Sequence, residues 1–365
     1  MRSGWPKDGL PKLWQAEVGI GFSSIAVAQG LAVAGGHADG SDTWFAFDAA
    51  SGELRWKHTY RCAKVDNLHE GGTGSTPAID GDAVYVASRE GEVFCLDAKS
   101  GEVRWSKKLA SELGVKMPEW GFTSSPRIRG EQIFLDLGCV VAVNKKSGEI
   151  VWKTEKHNPG YGTPTLFERG GKQLVAVLNN EGLLILTAEK GEQVASSPWV
   201  TDYATNSTTP LVAGDTFFLS TGYNRGCTLL KWTDDSSLEA VYEHKKLANH
   251  MNNSIPWEGF VYGIHGNSHA AGQCRLTCLE LATGDVRWSE RGFGCGSVLV
   301  ADGTLFILSD AGELVLADGT PEAFREKGRM KVLDGRCWTM PTLANQRLYV
   351  RDTPGHVVCL SLEGK

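Results

Sequence analysis

The segment 46–56, AFDAASGELRW, returns as CLDAKSGEVRW at 95–105, AVNKKSGEIVW at 142–152 and CLELATGDVRW at 278–288. A repeat at a fixed spacing constrains a fold more than any single residue, because each copy must build the same local unit. Here the unit is strand, tight turn, strand. An apolar pair leads into an Asp or its equivalent, whose side chain accepts turn N–H bonds; a Gly then takes the positive φ of the reversal, and the chain leaves on alternating residues ending in Trp.

Degenerate copies fill the gaps. ILTAEKGEQV at 185–194 keeps the turn and loses the Trp, and LLKWTDDSSLEAVY at 229–242 lengthens it. In LVLADGTPEAFR at 314–325 the turn is expected to give way to a short helical turn, with Thr320 as N-cap and Pro321 at the first helical position. The final copy, VCLSLEGK at 358–365, stops at its turn, and the strand it lacks is present at the other end as PKLWQAEV, 11–18. Eight units at intervals of roughly 35–50 residues, the last completed from the N-terminus, describe a closed ring of four-stranded blades. Closure also removes the sheet edges at the seam. The expected fold is therefore all-β, an eight-bladed β-propeller of antiparallel blades.

The blades are expected at 19–58, 72–109, 120–155, 160–198, 203–245, 250–290, 294–333 and 336–365 plus 11–18, making one domain of the 365 residues. A propeller reaches that length without a second core because each blade buries its faces against its neighbours. With 44 Gly and 12 Trp, the composition suits short strands and tight turns. A net charge of −6 is the wrong sign for a nucleic-acid backbone, and no apolar run approaches the roughly 18 residues of a membrane span. The start, MRSGWP, lacks the apolar core of a secretory signal, as in a cytoplasmic protein or a trimmed mature one. Of nine cysteines, Cys95, Cys278 and Cys359 precede Leu on third strands and read as buried thiols. Cys274 and Cys278 lie in one hairpin with no second pair at zinc-site spacing.

The Asp-x-x-Ser/Thr-Gly-x-x-x-Trp repeats resemble the tryptophan-docking repeats of the quinoprotein alcohol dehydrogenase-like, or PQQ-like, β-propeller superfamily. The likeness is greatest to its stand-alone BamB-like and dehydrogenase-like bacterial members. The resemblance implies that Trp14, Trp56, Trp105, Trp152 and Trp288 wedge between blades, and that the chain is a monomeric periplasmic or exported protein. For a dehydrogenase it would further imply pyrroloquinoline quinone (PQQ) with calcium beside an adjacent Cys pair. No Cys-Cys dipeptide exists here, and Glu70, Asn206 and Asn253 are the residues that would offer calcium its oxygens.

In a propeller, the links between blades share a face with the loops between second and third strands, and the mouth of the central channel opens there. The Gly, Ser, Thr and Pro of those links are read as fitting a crowded axis. Phe22, Trp120, Phe122, Tyr161, Tyr203 and Trp338 add stacking planes, and Asn206, Asn252, Asn253 and Arg336 add hydrogen-bonding groups. That mixture suits a flat quinone or a sugar ring. His37, His69, His157, His250, His265, His269 and His356 are all expected in loops of this face, with His58 and His244 in outer strands. His69, Glu70 and His250 form the candidate catalytic or metal-holding centre, although no metal-ligand spacing links them.

Three functions remain open. One is a binding or scaffold protein of the envelope, holding a protein, glycan or small polar ligand at the loop face. The second is a quinone-dependent alcohol or sugar dehydrogenase, and the third another carbohydrate-active enzyme.

Overall fold

The computed structural model describes residues 9–233 and 237–363. Among them lie eight four-stranded antiparallel sheets, each ordered as a simple meander except the last. There, Lys12–Glu17 pairs with the strand His356–Ser361, placing Trp14 opposite Cys359. The fold is the eight-bladed β-propeller, closed by the N-terminal strand.

Blade 2 shows how the repeat builds a blade. Its strands are Ala78–Asp80, Ala83–Ala87, Val93–Asp97 and Val103–Lys107. At the last turn, Asp97 Oδ1 accepts the N–H groups of Lys99 and Ser100 at 2.9 Å each, and Gly101 adopts a φ of 74°. Arg104 reaches back to the same carboxylate at 2.7 Å and, with the turn N–H bonds, holds its pKa well below the usual carboxylate range.

The repeated Trp belongs to the seam between blades. Trp56 Nε1 donates to the Ala98 carbonyl of blade 2 at 2.8 Å, Trp105 to Lys145 at 3.0 Å, Trp152 to Ala188 at 2.9 Å, and Trp14 to Ala49 at 3.2 Å. Trp288 docks likewise on Thr320 at 2.8 Å. The signature Gly of the receiving blade lies under that indole. A Cβ on Gly101 would stand 2.7 Å from the Trp56 ring, so this Gly is required both by its φ and by its neighbour.

Where the Trp is missing, other residues occupy the seam. In blade 5 its register position is Tyr242, whose hydroxyl donates to Leu281 O at 2.9 Å. In blade 4 the position is Ala195, and Trp232 of blade 5 packs into the same cluster from the opposite side. In blade 7 it is Gly328, which has no side chain to dock.

Around the axis, the small residues of the links do more than fit. The N–H of Ser24 donates to Thr76 Oγ1 at 3.1 Å, Thr76 to Ser125 Oγ at 2.9 Å, Ser125 to Thr163 Oγ1 at 3.2 Å, and Thr163 to Thr209 Oγ1 at 3.2 Å. Thr209 donates to Asn253 Oδ1 at 2.8 Å, and Asn252 Nδ2 to Gly296 O at 2.7 Å. Ser297 to Thr339 O and Thr339 to Phe22 O, at 3.2 and 3.1 Å, complete the circuit of all eight blades. A floor of hydroxyls therefore underlies the channel mouth.

Two expectations need correction. No helical turn forms at Thr320 and Pro321: between the strands Glu313–Asp318 and Glu326–Lys331 the N–H of Gly319 goes to Gly303 O, and Asp318 N–H to Arg325 O. Cross-strand partners there outcompete the i to i−4 bonds of a helix. A five-residue helix does occur at Leu109–Leu113, in the link from blade 2 to blade 3, burying Leu109, Ala110 and Leu113 and ending at Gly114 with φ 61°. Finally, His37, His265 and His356 are strand residues rather than loop residues. The lengthened turn at 234–236 and the MRSGWP start lie outside the described residues.

Candidate functional site

At the mouth, side chains from the links and from two hairpin loops enclose a cavity of about 600 Å³. Three aromatic walls define it. On the first, Trp120 and Tyr161 meet edge to face with centroids 5.6 Å apart, and Trp120 Nε1 is fixed by the Asn67 carbonyl at 3.0 Å. On the second, Phe22 stacks on Trp338 at 5.9 Å while His69 meets Phe22 edge-on at 5.2 Å. The Arg336 guanidinium lies 4.0 Å over the Trp338 ring and is ion-paired with Glu70. The third wall is Tyr223, with His250 edge-on at 5.0 Å and His269 stacked at 6.2 Å.

Burial sets the charge of this cavity. It lowers the pKa of His250 to about 4, with help from the neighbouring His269, and lowers that of His69 with help from Arg336. Both imidazoles are therefore neutral at pH 7. His250 Nδ1 accepts the Ser268 N–H at 3.2 Å and His69 Nδ1 the Gly71 N–H at 3.2 Å, which places the single ring proton of each on Nε2. Among the described residues, Arg336 is the only Lys, Arg, Asp or Glu in the cavity wall, and Glu70 neutralises it. Burial also pushes the Tyr161 phenol up to about 12.

The structure brings His69, His250, Trp120, Tyr161, Asn252, Asn253, Arg336 and Trp338 together around this cavity. It places four other candidates elsewhere. Phe122 is 2% exposed in the core with Leu109 and Ala110. Tyr203 is 75% exposed on the rim, where it packs edge-on to Tyr223 at 5.1 Å. Glu70 stands behind Arg336. Asn206 is fully buried: its Nδ2 donates to Asn179 O and Trp199 O at 2.8 and 2.6 Å, and its Oδ1 accepts the Thr201 hydroxyl.

Of the other histidines expected at the mouth, His37 is buried against Asp42 at 2.7 Å, beside an Arg89–Asp42 ion pair. His157 pairs with buried Asp136 and His356 with Asp352, both at 2.8 Å. His265 Nδ1 accepts the Ala248 N–H at 3.1 Å. These four join the ends of strands to their neighbours and do not line the cavity. Tyr223 is the residue sequence reasoning missed. It sits between the second and third strands of blade 5, Thr216–Thr221 and Gly226–Trp232, in a loop class already assigned to this face. Applying that rule to TGYNRG, 221–226, would have found it.

A calcium ion needs six to eight oxygens, and Glu70, Asn206 and Asn253 do not supply a shared set. Glu70 is held by Arg336, Asn206 is committed to Thr201, and Asn253 Oδ1 accepts Thr209 N–H. Among the described residues no cluster of three or more His, Cys, Asp or Glu is arranged to hold a metal. The residues present do not fit a calcium-bound quinone site. All nine cysteines are free and buried, and burial raises the pKa of Cys95, and of Cys278 and Cys359 to about 11.

The model of a family described as outer membrane protein assembly factor BamB matches residues 42–290, which include all four strict repeats. The chain belongs to this family. Among solved structures, BamB from Moraxella catarrhalis aligns with a TM-score of 0.69 at 16% identity, over 98% of each chain. Quinohemoprotein alcohol dehydrogenases from Comamonas testosteroni and Pseudomonas putida HK5 align at 0.69 and 0.71, with 12% and 11% identity. They are covered over 77% and 76% of their length by 98% of this chain. Such identities carry the fold alone. Comparison with curated protein sequences gives no match. Among the described residues, no helix of this BamB-family chain is long and apolar enough to cross a membrane.

Proposed function

We propose that this BamB-family propeller is a binding or scaffold protein of the bacterial cell envelope, holding its ligand or partner at the loop face and channel mouth. One observation carries the reading: the mouth has a preformed aromatic cavity of about 600 Å³ whose described wall residues include no Asp, Glu or Lys. Glu70 is bound to Arg336, and His69 and His250 are neutral groups anchored by backbone N–H donors. A general acid or base needs a pKa near the working pH, and burial moves that of His250 well below it. The family description, an outer membrane protein assembly factor, supports a partner in the envelope.

The aromatic walls favour the quinone-dependent dehydrogenase as second reading, but the missing calcium set and Cys pair weigh against it. Two measurements separate them. Affinity capture from an envelope extract should retain a partner with the native protein and lose it with the Trp120→Ala/Trp338→Ala variant. Titration with PQQ and calcium, read by Trp fluorescence and quinone absorbance, should be flat. Saturable, calcium-dependent quinone binding accompanied by dye-linked oxidation of alcohols or sugars would overturn the binding-protein reading.

A further inference from the structure

The chemistry of the mouth narrows what it holds, given the reading of the mouth as the binding site. The floor hydroxyls of Thr76, Ser125, Thr163 and Thr209 each accept a backbone N–H from the preceding blade, and none donates its own O–H to another described residue. With one lone pair of each taken by the fold, each still presents its O–H as a donor to the cavity they all line. Nε2–H of His69 and of His250 likewise makes no hydrogen bond to a described residue, because Nδ1 is the ring atom already engaged. Six neutral donors thus share one cavity with the aromatic faces.

This arrangement selects by shape and by charge. Flat or chair-shaped rings whose faces carry C–H groups pack on indole and phenol planes, and oxygens at their edges accept from the floor and the imidazoles. Arg336 is cancelled by Glu70, and burial keeps His69 and His250 uncharged at pH 7. An anion carrying several carboxylates would lose its hydration here without gaining a counter-charge. A neutral polyol ring carries no charge to desolvate, and the six donors replace the hydrogen bonds that its oxygens accept from water.

We infer that the mouth of this propeller binds an uncharged saccharide, one sugar ring of which is sandwiched between the Trp120 and Trp338 walls above the hydroxyl floor. Asn252 Nδ2 and Asn253 Oδ1 are held by Gly296 O and Thr209 N–H, which leaves Asn252 Oδ1 and Asn253 Nδ2 to serve the ligand. The specificity determinants are the two indoles, Tyr223 and the donor ring.

The test is isothermal titration calorimetry of the whole protein with maltotriose, cellotriose and chitotriose. Glucuronate- and glucosamine-containing oligosaccharides and PQQ serve as charged counterparts. The expected result is saturable binding of at least one neutral trisaccharide, weaker binding of its charged counterparts, and a loss of about tenfold or more in Trp120→Ala and in Tyr223→Ala. Circular dichroism of both variants establishes that they remain folded, and the two residues lie on different walls, so one misfolded variant leaves the other as the readout. Preference for the uronates or PQQ, lost in the same variants, would overturn the uncharged-saccharide inference while leaving the mouth as the binding site. No heat with any probe, together with identical partner capture by native and Trp120→Ala proteins, would overturn both.

Discussion

The blade seams and the channel mouth are built from the same chain by opposite rules. At the seams one interaction recurs: an indole N–H meets a carbonyl of the next blade at Ala49, Ala98, Lys145 and Ala188, in four consecutive turns of the ring. At the mouth, above the recurring hydroxyls, the corresponding links carry Phe22, His69, Trp120, Tyr161 and His250, and these larger side chains change from each link to the next. The repeated positions therefore make the ring, and the positions free of the repeat are available for a ligand. Stability and recognition rest on different residues, so each can be altered while the other is watched.

The largest expected effect is at a docked seam. Trp56→Ala removes a buried indole and its bond to Ala98 and should lower the unfolding free energy by about 3–5 kcal/mol, read from urea denaturation, with sugar or partner binding unchanged in the folded fraction. The seam between blades 4 and 5 provides the counter-test, because there the indole comes from the other side. Trp232 faces Ala195 with its Nε1 unpartnered and Arg169 4.4 Å over its ring. Ala195→Trp alone should overpack the seam and cost about 1–3 kcal/mol, and Trp232→Ala alone about 3–5 kcal/mol. The double variant restores the usual arrangement and should lose less than the sum, with a coupling of roughly 0.5–3 kcal/mol. Strict additivity would mean that the two residues do not share the seam.

How far the sequence could be read follows the same division. The Asp, Gly and Trp of 95–105 announce the turn, its direction and the docked seam, because each does its work within eleven residues of its neighbours or at a fixed distance in the next copy. Thr320 and Pro321 misled for the converse reason: a local helix-start signal was overridden by partners elsewhere in the blade, Gly303 in the neighbouring hairpin turn among them. Phe122 and Tyr161 look alike in sequence, each an aromatic in a link. Only the helix Leu109–Leu113, which draws Phe122 into the core, separates them. The hydroxyl circuit from Ser24 to Asn253 was visible as composition but not as bonding, since every one of its contacts joins residues about 40–50 apart.

Acid gives a second contrast, between mouth and strand ends. His250, with its pKa lowered to about 4 by burial, binds fewer protons folded than unfolded between pH 6.5 and about 4. Its contribution to stability therefore falls as pH drops through that window, by at most about 3 kcal/mol, and changes no further below it. His157 behaves oppositely. Burial works against its charged form, but Asp136 at 2.8 Å outweighs that, so its pKa is raised, and its contribution is present below pH 6.5 and lost as pH rises through the folded value. Urea midpoints of native and His250→Gln proteins at pH 7 and 4.5 should converge in acid if the mouth imidazole resists protonation. A constant gap would refute it.

The smallest expected effect tests whether a seam needs an indole at all. Tyr242 stands at the Trp register position of blade 5 and donates to Leu281 O, while the Gly284 beneath it has a φ of 74°, as the receiving Gly of a docked seam does. Tyr242→Phe keeps the ring and removes only the hydroxyl, so it should cost about 1 kcal/mol, the net value of one hydrogen bond plus the unpaired carbonyl it leaves. Tyr242→Trp keeps a ring and an N–H donor, and should be near neutral if the indole fits over Gly284 as Trp56 fits over Gly101. A Tyr242→Trp loss larger than that of Tyr242→Phe would show that His244, whose Nε2 already crowds Gly284, has made this seam specific for the narrower ring.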